Sequence, residues 1–147
     1  MPCVETSMLI KRDQETIYAF IKDMEQYPRF MTNLVSVEVL ERTETTTITK
    51  WKSKVDGIEI NWKELDTFDH DNFHVVYHQL EGDLKNFDGE WLLSQVDDSV
   101  YVTLKVNFEF GIPMLAPMIN PLLKRKVYHN SMEMLLMMQK ELCKMVD

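Results

Sequence analysis

The stretch 121–146, PLLKRKVYHNSMEMLLMMQKELCKMV, has no Gly or Pro after its first residue. At 3.6 residues per turn, Ile119, Leu123, Val127, Asn130, Met134, Met137, Met138, Leu142 and Met145 share one broad face. Lys126, His129, Glu133, Lys140 and Lys144 share the other. The pattern predicts one amphipathic helix of roughly 25 residues, about 37 Å long at ~1.5 Å per residue. A helix with so wide an apolar face must lie on another surface, and a long curved sheet supplies one. The face is heavy in methionine, whose flexible thioether adapts to irregular shapes. Asn130 lies mid-face, where a buried amide needs partners. Two readings follow. Either Met fills gaps and Asn130 bonds a strand, or the face roofs a ligand cavity with Asn130 as a polar contact inside it.

The rest of the chain supplies the sheet. Residues 3–11 read as a strand. Asp13 is a predicted N-cap, with Glu15 in the first turn and Ile17, Phe20 and Ile21 as the stripe of a helix over 14–22. Asp23 to Gln26 has capping-box spacing, which predicts a second short helix over 24–32 carrying Tyr27, Phe30 and Met31. Pro28 is tolerated in its first turn. The period then becomes two. Val35, Val37 and Val39 share a face, as do Thr47, Thr49, Trp51, Ser53 and Val55. Asp56-Gly57 is a hairpin turn, after which Ile58, Ile60, Trp62, Glu64, Asp66 and Phe68 align. Turns at 70–72 and 97–99 separate three more strands. Their apolar faces hold Phe73, Val75, Tyr77 and Gln79, then Phe87, Gly89, Trp91 and Leu93, then Val100 through Phe108 to Phe110. Gly111 ends the sheet. Pro113, Pro117 and Pro121 keep IPMLAPMINP from forming one regular helix, leaving a kinked lead-in or a mobile flap. The order predicts an α+β fold: a curved antiparallel sheet of about seven strands around the terminal helix, with two short helices after the first strand.

The 147 residues fit a single domain, 1–147. A formal charge of −8 argues against nucleic acid and against anionic membrane as partners. The cluster Lys124 to Lys126 reads as a solvated helix face. Cys3 and Cys143 have neither metal nor redox spacing and are expected as free thiols in the cytoplasm. Neither a leader segment nor a membrane span is expected.

FIKDMEQYPRFM followed by VSVEVLER, and later YHQLEGDLKNFDGEWLLSQVDDSVYVTLKVNFEFGIPML, resemble the polyketide cyclase/dehydrase-like family of the START-like, helix-grip superfamily. The resemblance covers nearly the whole chain. It implies a helix-grip fold with an internal apolar pocket and no cofactor or metal. It also implies three classes of activity: aromatase/cyclases working on carrier-bound polyketides, coenzyme Q-binding proteins, and carriers of other hydrophobic ligands. The partners it implies are a polyketide, quinone or lipid, and an acyl carrier protein for the cyclase class. Some aromatase/cyclase branches carry a cavity arginine after a Trp on the fourth strand. Here the matching stretch is Trp62-Lys63-Glu64-Leu65-Asp66, without arginine.

The residues themselves point to acid–base chemistry. Glu64 and Asp66 share the face of Trp62. If it points inward, burial disfavours their charged forms and suits them to proton transfer. A bulge or a strand end would instead put them in water. Tyr77 can donate to a ligand carbonyl or only pack its ring. Trp51, Trp62, Gln79, Trp91, Phe108, Asn130, Met134 and Met137 are the candidate ligand contacts. His74 and His78 fall on the outer face, and His129 on the polar side of the helix. No nucleophile motif or phosphate loop is present. The expectation is a binder of a hydrophobic small molecule acting as an aromatase/cyclase. The alternatives are a lipid or quinone carrier, and a protein-interaction module using the 112–121 segment.

Overall fold

The structure, a computed structural model, describes residues 3–55, 57–109 and 116–144, the side chains of 55 and 116–121 apart. Asp56, Phe110, Gly111, Pro113, Met145 and the side chain of Ile119 lie outside the described residues.

Seven strands form one antiparallel sheet: β1 (Cys3–Ile10), β2 (Leu34–Arg42), β3 (Thr46–Val55), β4 (Ile58–Asp69), β5 (His74–Gly82), β6 (Asn86–Val96) and β7 (Ser99–Glu109). Their order is β1-β7-β6-β5-β4-β3-β2, so β2 to β7 are a meander and β1 closes the β7 edge. Helix α1 (Gln14–Lys22) and a 3-10 helix (Met24–Arg29) join β1 to β2, and α2 (Ala116–Lys144) follows β7. This is the expected α+β, helix-grip architecture.

Local chemistry explains most boundaries. The Asp13 carboxylate accepts from the Thr16 amide at 3.0 Å and caps α1. Gly57, at φ +80°, supplies the left-handed residue that the β3–β4 turn needs. Asp97, at φ +53°, does the same between β6 and β7. On one side of the sheet, Ile10, Ile17, Ile21, Val100, Val102, Leu135, Met138 and Leu142 pack into a core. Helix α2 lies mainly beside β1, where Gln139 Nε2 donates to the Leu9 carbonyl at 3.1 Å.

Four expectations are corrected. The second short helix is 3-10 rather than α and ends at Arg29, and the Asp23 side chain caps nothing. With Pro28 inside it, the shorter 3-10 repeat suits a tight bend between α1 and β2. Val35 is exposed, because the β2–β3 register skips it between Leu34 and Ser36. That bulge turns Leu34 and Val37 inward instead. Helix α2 begins at Ala116, upstream of Pro121, so both Pro117 and Pro121 lie in its first two turns. Pro117 is in the first turn, where a missing N–H costs little, whereas Pro121, a turn further on, forgoes the bond to the carbonyl of residue 117. Finally, the buried stripe of α2 is Ser131, Leu135, Met138 and Leu142. Asn130, Met134 and Met137 lie to one side of it, half-buried.

Candidate functional site

The inward face of β4 alternates as expected. Ile60 and Trp62 are half-buried, while Glu64, Asp66 and Phe68 are buried. Trp62 pairs directly with Trp51 on β3, and their rings stack with centroids 5.5 Å apart and planes 6° from parallel. Tyr27, from the 3-10 helix, meets Trp51 edge-on at 5.8 Å. Phe87 meets Trp62 edge-on at 5.2 Å. These rings floor an apolar chamber of about 180 Å³ between the sheet and α2.

Glu64 is the carboxyl on the chamber wall, and Asp66 sits behind it. Each is held by hydrogen bonds from neighbouring side chains. Trp62 Nε1 donates to Glu64 Oε1 at 2.7 Å. Thr47 and Thr49 hydroxyls donate to Asp66 Oδ2 at 3.0 and 2.7 Å. Trp51 Nε1 in turn donates to Thr49 Oγ1 at 2.7 Å. Asp66 Oδ1 has no N–H or O–H partner, which leaves it to accept a proton carried by Glu64.

Electrostatics agree. Burial raises the Glu64 carboxyl well above its ordinary range, its hydrogen bond to Asp66 and the Asp66 charge raise it further, and the Trp62 N–H only partly offsets this. Asp66 is also raised by burial, but bonds from Glu64, Thr49 and Thr47 pull it back. Burial thus favours the neutral form of both carboxyls, more so for Glu64, to which the Asp66 charge adds, and the two titrate as one interacting pair. A bulge does lie beside Glu64, but the skipped residue is Leu80 on β5. It bends β5 and leaves Glu64 facing inward.

Tyr77 lines the chamber with its ring, and its hydroxyl donates to the Lys105 carbonyl at 2.8 Å. The hydroxyl crosses β6 at Gly89, where any Cβ would collide with it and with the Lys105 carbonyl. Burial raises this phenol well above its usual range, and neighbouring carboxyl groups, Glu64 foremost, add to the effect. Gln79 also lines the wall; its amide nitrogen donates to the Leu84 carbonyl at 2.7 Å.

Of the expected contacts, Trp51, Trp62, Glu64, Tyr77, Gln79, Trp91, Asn130 and Met134 border the chamber together. Asp66, Phe108 and Met137 do not. Asp66 acts through Glu64, and Phe108 is buried in the core of β7. Met137 sits off the chamber; among the described side chains of α2, Val127, Asn130, Ser131 and Met134 reach it. The methionine roof thus reduces to Met134, with Met24 at one end. Asn130 has no hydrogen-bond partner among the described residues. Asn33, Ser53, Leu84 and Phe87 are among the lining residues beyond the expected contacts. Alternation places Ser53 and Phe87 inward; Asn33 and Leu84 are loop residues that no periodicity marks.

His74 is on the outer face, 2.9 Å from Glu90. His129 is exposed, as are Cys3 and Cys143, both free. Among the described residues, no cluster of metal-ligating side chains occurs and no helix is long and apolar enough to cross a membrane.

Comparison with known proteins places this architecture. The protein TTHA0849 of Thermus thermophilus superposes with a TM-score of 0.89 at 23% identity, over 95% of each chain. The Zhui aromatase/cyclase of a Streptomyces species superposes at 0.82 and 18% identity, over 95% of this chain and 92% of that one. A START superfamily protein of Mycobacterium smegmatis gives 0.75 at 15%, over 89% and 92%. At these identities the likeness is one of fold. No curated protein matches the chain by sequence. Residues 10–135 match the family described as polyketide cyclase/dehydrase and lipid transport. Because that match runs over most of its length, the chain belongs to the polyketide cyclase/dehydrase and lipid transport family.

Proposed function

We propose that the protein encloses a small hydrophobic molecule and performs acid–base cyclisation or dehydration on it, in the manner of an aromatase/cyclase. The observation that carries this reading is Glu64, a buried carboxyl on the wall of an apolar chamber, with the buried Asp66 behind it; burial and the Asp66 charge both favour its protonated form. The pair works as a relay. Glu64 takes a proton from the guest as it passes its own to Asp66, leaving an enolate in the chamber. Running backwards, the same pair returns a proton to a leaving hydroxyl and releases water. The aromatic walls hold a flat ring in place, and the chamber folds a flexible chain into reach of itself. Tyr77 contributes its ring, since its proton is engaged by Lys105. A carrier-bound polyketide, delivered by an acyl carrier protein, is the substrate class this reading favours.

The volume narrows the guest. A buried cavity of about 150 Å³ accommodates benzene, so about 180 Å³ suits one or two fused rings. The test is solvent-deuterium exchange at the α-carbon of a one- or two-ring 1,3-diketone. The native protein should accelerate exchange, and Glu64→Gln should remove most of the acceleration. Equal rates for the two proteins would take Glu64 out of the chemistry.

A second reading is a lipid or quinone carrier. It is favoured by the absence of arginine from 62–66 and by a carboxyl pair already satisfied within the protein. Native mass spectrometry of protein purified from its own host separates the two. A retained acyl lipid or isoprenoid quinone supports carriage, whereas a small aromatic product supports cyclisation.

A further inference from the structure

The chamber's polar groups are unevenly oriented. On the wall made by β3, β4 and β5, every side-chain atom able to donate already donates to the protein. Trp51 Nε1 gives to Thr49, and Trp62 Nε1 gives to Glu64. The Ser53 hydroxyl gives to the Asn33 carbonyl at 3.1 Å, Tyr77 to the Lys105 carbonyl, and the Gln79 nitrogen to the Leu84 carbonyl. What this wall still offers a guest is chiefly lone pairs, the second amide hydrogen of Gln79 apart. Glu64 is an acceptor towards the chamber whether it is ionised or has its proton turned to Asp66. The Gln79 Oε1 is buried with no hydrogen-bond partner among the described residues. Beside and above this wall lie further donors. Trp91 on the adjoining strand β6 and Asn130 on α2 also border the chamber, and no described residue engages their side-chain N–H groups.

We propose that the chamber selects guests bringing a hydroxyl donor to the β3–β5 wall, an enol or a phenol, over ketones, ethers and quinones of the same size. A carbonyl facing that wall would set one acceptor against another and lose its hydration without replacement. A hydroxyl there replaces its lost water with Glu64, while an acceptor elsewhere on the ring can meet Asn130 or Trp91. In a cyclising protein this favours the enol tautomer of a diketone and the aromatic product. In a carrier it favours a hydroquinone over its quinone. The inference rests on the reading that the chamber holds a hydrophobic guest, but it does not require that anything react there.

The experiment is calorimetric titration of the intact protein with three probes of nearly equal size: 2-naphthol, 2-methoxynaphthalene and 1,4-naphthoquinone. The naphthol should bind about tenfold more tightly than either of the others, the ratio one buried hydrogen bond to a carboxyl group supports. Equal affinities across the three would overturn the proposal. Glu64→Leu should erase the preference while the naphthalene ring still binds; a preference that persists in it would also overturn the assignment of the wall. If that variant does not fold, Glu64→Gln and the native comparison still decide: Glu64→Gln puts amide N–H groups on the same wall and should shrink the preference by admitting the quinone, and an unchanged preference would overturn the assignment. Calorimetry reads binding alone, so it can succeed where the deuterium-exchange test fails. Failure of all three probes to bind would remove the chamber reading itself.

Discussion

Beside β1, β7 and the second half of α2, the interior is made of Ile10, Val100, Val102, Leu135, Met138 and Leu142, all fully buried. Under β3, β4 and β5, equivalent inward positions hold Thr47, Thr49, Glu64, Asp66 and Tyr77, and a chamber replaces the packed core. One sheet thus carries two kinds of interior. The first stabilises through close packing and area removed from water. The second returns little net stability, because its buried polar groups merely recover what desolvation cost them. It holds its residues in place instead. The difference shows where the molecule can tolerate change and where it cannot.

The comparison is tested most severely in the packed half. Leu135→Ala should cost about 2–5 kcal/mol, read as a lower urea midpoint. Val127→Ala, which borders space that is already empty, should cost under about 1 kcal/mol. Similar losses at the two sites would erase the distinction. Next in size is Asp66→Ala, which strands the hydroxyls of Thr47 and Thr49 and the Glu64 proton; a loss of about 3 kcal/mol is expected by the same titration. Tyr77→Phe removes one bond across the sheet and should cost about 1 kcal/mol.

The smallest effect concerns pH. Burial and Asp66 raise the folded-state Glu64 above 4.5, its ordinary value. The folded protein therefore keeps a proton that the unfolded chain releases. That contribution is complete below about pH 4.5 and is lost as the pH climbs towards the folded-state value. Glu64→Gln cannot titrate. Its Tm relative to the native protein should therefore rise by a few degrees between about pH 5 and pH 8. A flat difference over that range would mean that Glu64 ionises without penalty.

The strands are legible in the sequence because alternation is a strict code. Thr47, Thr49, Trp51 and Ser53 on one strand and Glu64, Asp66 and Phe68 on the next face inward as their spacing implies. Features that break the period are not legible. The skipped residues Val35 and Leu80 alter the facing of their strands, and neither carries a turn residue that announces a bulge. On α2 the buried stripe is out of phase with the expected one by about one position. Ser131 and Leu135 form that stripe, but the neighbouring methionines are nearly as apolar and give no contrast. The consequence for the site is specific: Met134 stays at the chamber and Met137 does not. By its spacing the Tyr77 hydroxyl is available to a guest. Only the coordinates place the Lys105 carbonyl within its reach, because Gly89 between them looks like any other strand glycine.

The bond from Tyr77 to Lys105 spans three adjacent strands, passing over the glycine of the middle one. It works as a strap across the floor, so β5 and β7 cannot splay apart to admit a bulkier occupant without breaking it. Any expansion must then come from the helical side, where Val127, Asn130 and Met134 face the hollow without such a restraint. Under the proposed reading, a bulkier guest would call for displacement of α2 rather than for a change in the sheet's curvature.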